Sequence, residues 1–344
     1  MNITWLFGNG LDLSYGLKTS YSDFYDYLLQ QEKSKEISDE NLIFSQLKKD
    51  FSEHKEDLWA DYEIRLGSIT TNFSDEEFEK FVQDKIELDI LLIEYLKNEA
   101  SKLDINKVNN STILKQSFSQ ITNGKKRDDN EKVISLLKDH SSENFYFKAI
   151  SFNYTPTVSL LWDDKKASIN NLKISGQPGH GHFVHLESPF YIHGTLDDGE
   201  AVIGLNDSSQ IKNEIFKENS EILDTLIKTK LLDLAGQLKF LKFKEIISQS
   251  DLICVYGLSI GATDSNYWEI IKKRLLTNKA ILIIYFYDKD FKYNHIKKTN
   301  FYIKKVKQFF YNNSNATQEE INLIEEKINV EFNNSLFILN NDLK

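Results

Sequence analysis

Four places along the chain join an apolar, strand-forming run to glycine or a small polar residue, and two of them add Asn or His. Ile3 to Phe7 runs into Gly8-Asn9-Gly10-Leu11-Asp12, and Ala149 to Phe152 runs into Asn153-Tyr154-Thr155-Pro156. Tyr191-Ile192 leads to His193-Gly194-Thr195, and Ile253 to Tyr256 leads to Gly257-Leu258-Ser259-Ile260-Gly261-Ala262-Thr263-Asp264. A strand that breaks on Gly-x-Gly and re-enters a helix can present backbone N–H groups to a phosphate. Glycine there permits the tight turn and the close approach of backbone to ligand. The third glycine of the dinucleotide fingerprint is absent at its usual offset, and Gly16-Leu17 resumes the pattern further along. Ligands of open α/β sheets lie beyond the carboxyl ends of the strands. The residues so placed include Gly8, Asn9, Gly10, Asp12, Asn153, Thr155, His193, Gly194, Gly257, Ser259 and Asp264.

Each has a plainer reading. Gly10 and Gly257 can simply shape turns, and Asn153 can cap a helix. His193 can be a satisfied core histidine, while Ser259 and Thr263 can cap the helix leading to Trp268. These readings suit the residues one at a time. Together they leave the shared placement at strand ends unexplained.

The elements that must hold these residues follow from hydrophobic spacing. Tyr21 to Gln31 reads as the first helix, capped by Ser20 or Ser22. From about residue 34 to 143, charged and apolar residues alternate with helical spacing, without convincing strands or proline, as in Phe78-Phe81-Val82 and Ile86-Ile90-Leu91. This stretch reads as an all-helical insertion, 34–143, within an α/β domain formed by 1–33 and 144–344. Strand-like runs return at Tyr146 to Phe152, Phe190 to His193, Ala201 to Leu205, Asp251 to Tyr256, Ala280 to Tyr287 and Ser335 to Leu339. Helical patterns at Ile222 to Leu234, Phe240 to Gln249 and Asp264 to Leu276 separate several of them. Leu252 to Tyr256 is apolar at every position, as befits a central parallel strand. Alternation of this kind predicts a doubly wound, mostly parallel sheet of Rossmann-like type.

Composition excludes several classes. The chain of 344 residues is 40% hydrophobic and 27% charged, an ordinary globular balance. Its longest apolar run, Ala280 to Tyr287, is far too short to span a bilayer. The single cysteine, Cys254, forms no internal disulfide and no cysteine-based zinc site. The strand opening at Ile3 leaves no room for a targeting segment, so the expected compartment is the cytoplasm. A net charge of −10 counts against nucleic acid as a broad, sequence-independent partner and leaves only a local basic patch open.

Two further clusters have metal-ligand character. His180, His182 and His185 are imidazoles at short spacing, suited to Zn or Ni, though a polar loop and strand after Pro178-Gly179 accounts for them without a metal. Asp57, Asp61 and Glu63 could hold Mg²⁺ in a nuclease. Asp57 and Asp61 share a helix face, but Glu63 lies well around from them.

Taken as a set, Gly8-Asn9-Gly10-Leu11-Asp12 with Gly16-Leu17, Ser151-Phe152-Asn153-Tyr154-Thr155, Ile192-His193-Gly194 and Gly257-Leu258-Ser259…Thr263-Asp264…Tyr267-Trp268 resemble the AbiH family of bacterial abortive-infection proteins. Leu58-Trp59-Ala60-Asp61-Tyr62-Glu63 also looks like a family block. The resemblance implies a role in resistance to bacteriophage. The order Gly-x-Gly, Asn, His-Gly, Gly-x-Ser is more distantly similar to the sirtuin-like NAD-binding fold, a group that includes NAD-hydrolysing defence enzymes.

That similarity implies a role for each residue. Gly8 and Gly10 approach a pyrophosphate, and Asn153 is the catalytic asparagine that orients a water or ribose hydroxyl. His193 is the general base, while Gly257 and Ser259 hold the second ribose or a phosphate with Asp264 close by. Cleavage of a nicotinamide–ribose bond is oxocarbenium-like and its leaving group is already cationic, so an amide and a histidine suffice. Thr155 stands where the sirtuin-like pattern carries Asp, and there are no zinc-binding cysteines, which counts against a protein deacylase. No resident cofactor is implied, NAD being substrate or ligand. The implied partners are NAD or a related nucleotide, a phage-derived trigger and further copies of the chain in a homo-oligomer, with no membrane. The competing readings are a metal-dependent nuclease and a non-catalytic nucleotide sensor.

Overall fold

Ile3-Thr4-Trp5-Leu6-Phe7 becomes the middle strand of a sheet. In a computed structural model of the chain, the described residues are 1–34, 37, 40–53, 62–103, 110–124, 127–162, 169–176, 180–197, 201–234, 238–277, 280–292 and 296–338. Contacts divide the chain into two units, the first made of Met1–Gly16, Leu103–Ile192 and Leu241–Lys344, the second of Leu17–Lys102 and His193–Phe240.

The first unit carries β1 (Asn2–Phe7), β2 (Phe145–Ser151), β3 (Ile169–Leu172), β4 (His182–Leu186), β5 (Phe190–Tyr191), β6 (Leu252–Tyr256), β7 (Ile281–Phe286) and β8 (Ile328–Phe332). Their order is β3-β4-β2-β1-β6-β7-β8, with β5 beside the end of β2. Every pairing is parallel except that of β3 with β4, so the fold is α/β with a mostly parallel sheet. The chain leaves β1 for β2 on one side and later returns to β6 on the other, which makes the β1–β6 boundary a topological switch point.

Residues Ile3 to Phe7 are fully buried, on both faces of the sheet, as parallel strands require. In register, Trp5 lies between Ala149 and Cys254, so two small neighbours make room for the indole. The ring stacks on Tyr285 at 5.7 Å and meets the edge of Phe337 at 4.9 Å. On the same side, Leu114 and Phe118 of the helix Asn110–Ser119 and Val133 and Leu137 of Arg127–Asp139 complete the core. Because these two helices cover the sheet, the contact division places residues from Leu103 onward with it and differs from the 34–143 boundary read from the sequence.

The second unit is mainly helical. A capping box between Ser74 and Glu77 closes the 3₁₀ turn Asp75–Glu77 that leads into Phe78–Ala100, which buries Phe81, Leu88, Leu92 and Leu96 at helical spacing. Phe216 closes on Phe73 and Phe81, with ring centres 6.4 and 5.2 Å away. Ser20 and Asp23 cap Tyr21–Ser34 reciprocally.

Three expected elements differ. Ala201 to Leu205 forms no strand and makes only a bridge from Leu205 to Ile227, and the 222–234 pattern divides into Ser220–Leu226 and Lys228–Leu234 around it. Ser335 to Leu339 forms no strand over its described residues: Phe337 takes a φ of 57° and, with Leu336, plugs the core. The last strand is instead β8, whose Asn329 and Glu331 break the apolar pattern yet are themselves buried. Phe190 to His193 is a strand only over Phe190–Tyr191.

Candidate functional site

The carboxyl ends of β1, β2 and β6 bring together Gly8 to Asp12, Asn153 to Thr157 and Gly257 to Asp264, all in the first unit. The glycines are required by close packing of two loops. A Cβ on Gly8 would collide with Leu258 Cα, and one on Gly10 would lie 2.6 Å from Gly257 Cα. Gly257 itself has φ 62°, a region that L side chains rarely adopt. Three N–H groups of this turn are engaged within the protein. Gly8 donates to the Tyr256 carbonyl at 3.1 Å, Gly10 to the Gly257 carbonyl at 2.7 Å, and Leu11 to the Gly8 carbonyl at 3.0 Å. The loop thus uses for its own closure the donors that the sequence reading assigned to a phosphate.

Two cross-links tie β1 to β2 beyond the sheet. The Asn153 amide, 6% exposed, donates from Nδ2 to the Gly8 carbonyl at 3.1 Å, and its own backbone N–H is held by Ser151 Oγ at 3.1 Å. Asn153 is therefore no simple helix cap. Thr155 Oγ1 donates to Asp12 Oδ2 at 2.6 Å, and Thr157 Oγ1 bonds Thr155 Oγ1 at 3.3 Å. Asp12 is 1% exposed, and its Oδ1 has no hydrogen-bond partner. Burial pushes its carboxyl up to about 6, with Thr155, Thr157 and Asn153 pulling in the opposite direction.

Tyr15 and Tyr256, which the sequence reading missed, border this group. Burial raises both hydroxyls, Tyr256 to about 12 and Tyr15 further, helped by the neighbouring Tyr256 and Asp12 charges. Tyr256 donates to the Leu336 carbonyl at 2.8 Å. The Asn153-x-Thr155-x-Thr157 spacing was the one available signal for Thr157; nothing local marked the tyrosines.

Along the β6 loop, Ser259 is exposed and Asp264 is 8% exposed, its N–H reaching the Gly261 carbonyl at 3.4 Å at the start of Ser265–Thr277. Asn9 is half-buried at the turn. Cys254, in the middle of β6, is fully buried and its thiol is pushed well up by burial, a setting for an inert cysteine.

His193 and Gly194 belong to the second unit. His193 is 3% exposed and its carbonyl accepts from Val202 N–H at 2.8 Å; Gly194 has φ 82°. The segment that follows is anchored by buried charges. Lys85 Nζ donates to the Ile203 carbonyl at 2.8 Å and pairs with Asp89, while Gly204 N–H donates to Glu63 Oε1 at 3.2 Å. Glu63 Oε2 meets Lys228 Nζ at 2.7 Å, both side chains being nearly inaccessible. Both Glu63 oxygens are thus engaged within the protein, which removes it from a Mg²⁺ site. Asp57 and Asp61 lie outside the described residues.

Among the histidines of the 180–185 stretch, His182 faces the Glu143 carbonyl at 2.8 Å and stacks on Phe145, and His185 stacks on Tyr146. These are packing roles in β4. Among the described residues no group of His, Cys, Asp and Glu is arranged to hold a metal, and no helix is long and apolar enough to cross a membrane.

The fold and site define an α/β protein with polar residues gathered at the switch point of a mostly parallel sheet, and comparison narrows it. The family model described as bacteriophage abortive infection AbiH matches residues 4–287, and the chain belongs to that family. Comparison with curated proteins returns no match.

Proposed function

We propose that this abortive-infection protein binds NAD or a related nucleotide beyond the carboxyl ends of β1, β2 and β6, and cleaves the nicotinamide–ribose bond. The observation that carries the reading is the gathering of Gly8 to Asp12, Asn153 to Thr157 and Gly257 to Ser259 at the switch point, where open α/β sheets bind their ligands. With Nδ2 fixed on the Gly8 carbonyl, Asn153 has its Oδ1 left to orient a water or ribose hydroxyl. The N–H groups of Gly8 and Gly10 being engaged, phosphate contacts fall to the exposed Ser259. The role of base, which resemblance gives to His193, is tested by its own variant in the same assay.

Purified full-length protein is incubated with NAD, with and without phage-derived activator, and free nicotinamide is followed. Release by the wild type, lost in both Asn153→Ala and His193→Ala with circular dichroism unchanged, is the expected result. Release that persists in Asn153→Ala overturns the assignment. A second reading, a nucleotide sensor without catalysis, draws on the commitment of the Asn153 amide to loop closure. Calorimetric binding of NAD with no nicotinamide released under any trigger selects it.

A further inference from the structure

Among the described elements, the helix Ile296–Asn313 is the most basic in an acidic protein. It holds five lysines and no Asp or Glu, in a chain of net charge −10. Ile303, Val306, Phe310 and Tyr311 bury one face, and Lys307 turns inward to donate to the Glu325 carbonyl at 2.6 Å. The opposite face is laid out in three strips, following the helical period of about 3.6 residues. Lys297 and Lys304 form one edge, Lys298 and Lys305 the other, and Phe301, Gln308 and Asn312 lie between them, all exposed.

Phe301 is 65% exposed, too much for a packing role. Lys305 Nζ lies 5.9 Å from the ring centre of Phe309, which is itself partly exposed on the same face. Among the described residues no carboxylate pairs with Lys298, Lys304 or Lys305. An in-plane membrane helix separates a broad apolar face from its charges. Here the outermost strip mixes one ring with two amides, and lysines flank it on both sides. Phosphates along two lysine rows, bases stacked on a ring and amides for base edges are the requirements of a single strand of nucleic acid.

We infer that the outer face of Ile296–Asn313 binds single-stranded nucleic acid. The acidic charge of the whole chain, which counts against broad duplex binding, leaves this local patch intact. The helix end touches the β6 loop, Asn313 Nδ2 donating to the Ile260 carbonyl at 2.9 Å, but the lysines and Phe301 of the outer face are not among the residues gathered at the switch point, and the inference does not depend on what binds there.

Fluorescence anisotropy of the full-length protein with labelled oligo(U), oligo(dT) and a duplex of equal length tests it. Both or either single strand should bind more tightly than the duplex, with a log–log salt slope of about −3 for four lysine–phosphate contacts. Lys298→Glu with Lys305→Glu should halve that slope, and Phe301→Ala should weaken binding about tenfold while Phe301→Trp retains it. All these positions face solvent, and circular dichroism checks that the variants fold. No salt-dependent binding of either strand, or binding unchanged in both variants, overturns the inference. So does preference for vesicles of acidic lipid in a flotation assay, which reassigns the face to a membrane surface.

Discussion

Asp12 is a carboxyl group without solvent, bonded through one oxygen to Thr155 and unbonded at the other. Burial raises it to about 6 in the folded protein, against 3.8 when free. Folding therefore favours its neutral form. Its contribution to stability is complete below about pH 4, where both states are protonated, and is lost as pH rises through about 6, a difference of at most about 3 kcal/mol. Asp12→Asn keeps the shape and stays neutral. Urea midpoints should show it more stable than the wild type at pH 8 by up to that amount, with the two converging at pH 4. No gain at pH 8 means that the carboxylate is accommodated. Glu63 and Lys228 pose the opposite case, two buried charges that satisfy each other. Removing one alone, as in Lys228→Met, should cost about 3–5 kcal/mol, and Glu63→Leu with Lys228→Met together much less. A double-mutant cycle by urea denaturation reads the difference, and equal losses would sink the pairing argument.

The turn after β1 separates two kinds of glycine. Gly8→Ala and Gly257→Ala place a Cβ against the backbone of the facing loop, so each should cost several kcal/mol and lower the yield of folded protein. Gly16 also has a positive φ, 79°, but nothing lies within 4 Å of an added Cβ, so Gly16→Ala should cost only about 1 kcal/mol. Thermal denaturation of the three variants orders them. The placement of β1, β2, β6 and β7 was legible because β6 and β7 are unbroken apolar runs, and β1 and β2 are rich in β-branched and aromatic residues with only Thr4 and Lys148 breaking their apolar interiors. β8 was not, because the polar Asn329 and Glu331 are inside: Asn329 donates to the Asp129 carbonyl at 3.1 Å, a partner 200 positions away. Leu336 and Phe337 have strand composition but serve as a plug against Trp5 and Phe7. Ala201 to Leu205 misled because its backbone is claimed by Lys85, Glu63 and the 226–228 turn rather than by a sheet edge.

Over the whole molecule, the residues gathered beyond β1, β2 and β6 could be named as candidates from local spacing, since strand ends mark themselves with glycine and small polar groups. Their bonds could not. Asp12 finds Thr155 across 143 positions, and the loops of Gly10 and Gly257 meet across far more. The division of the chain was also hidden, because His193 sits two positions beyond Tyr191 and yet belongs to the other unit.

The position of β1 has a consequence for how the protein is made. Ile3 pairs with Phe147 on one side and with Leu252 on the other. At about 5–20 residues per second, a ribosome needs on the order of 10–50 s to deliver that second partner after the first strand emerges. For that interval Trp5, Leu6 and Phe7 form a hydrophobic strand with an open edge, the kind of segment that chaperones hold and that aggregates when they do not. The centre of the sheet is synthesised first and can be closed only after most of the chain exists.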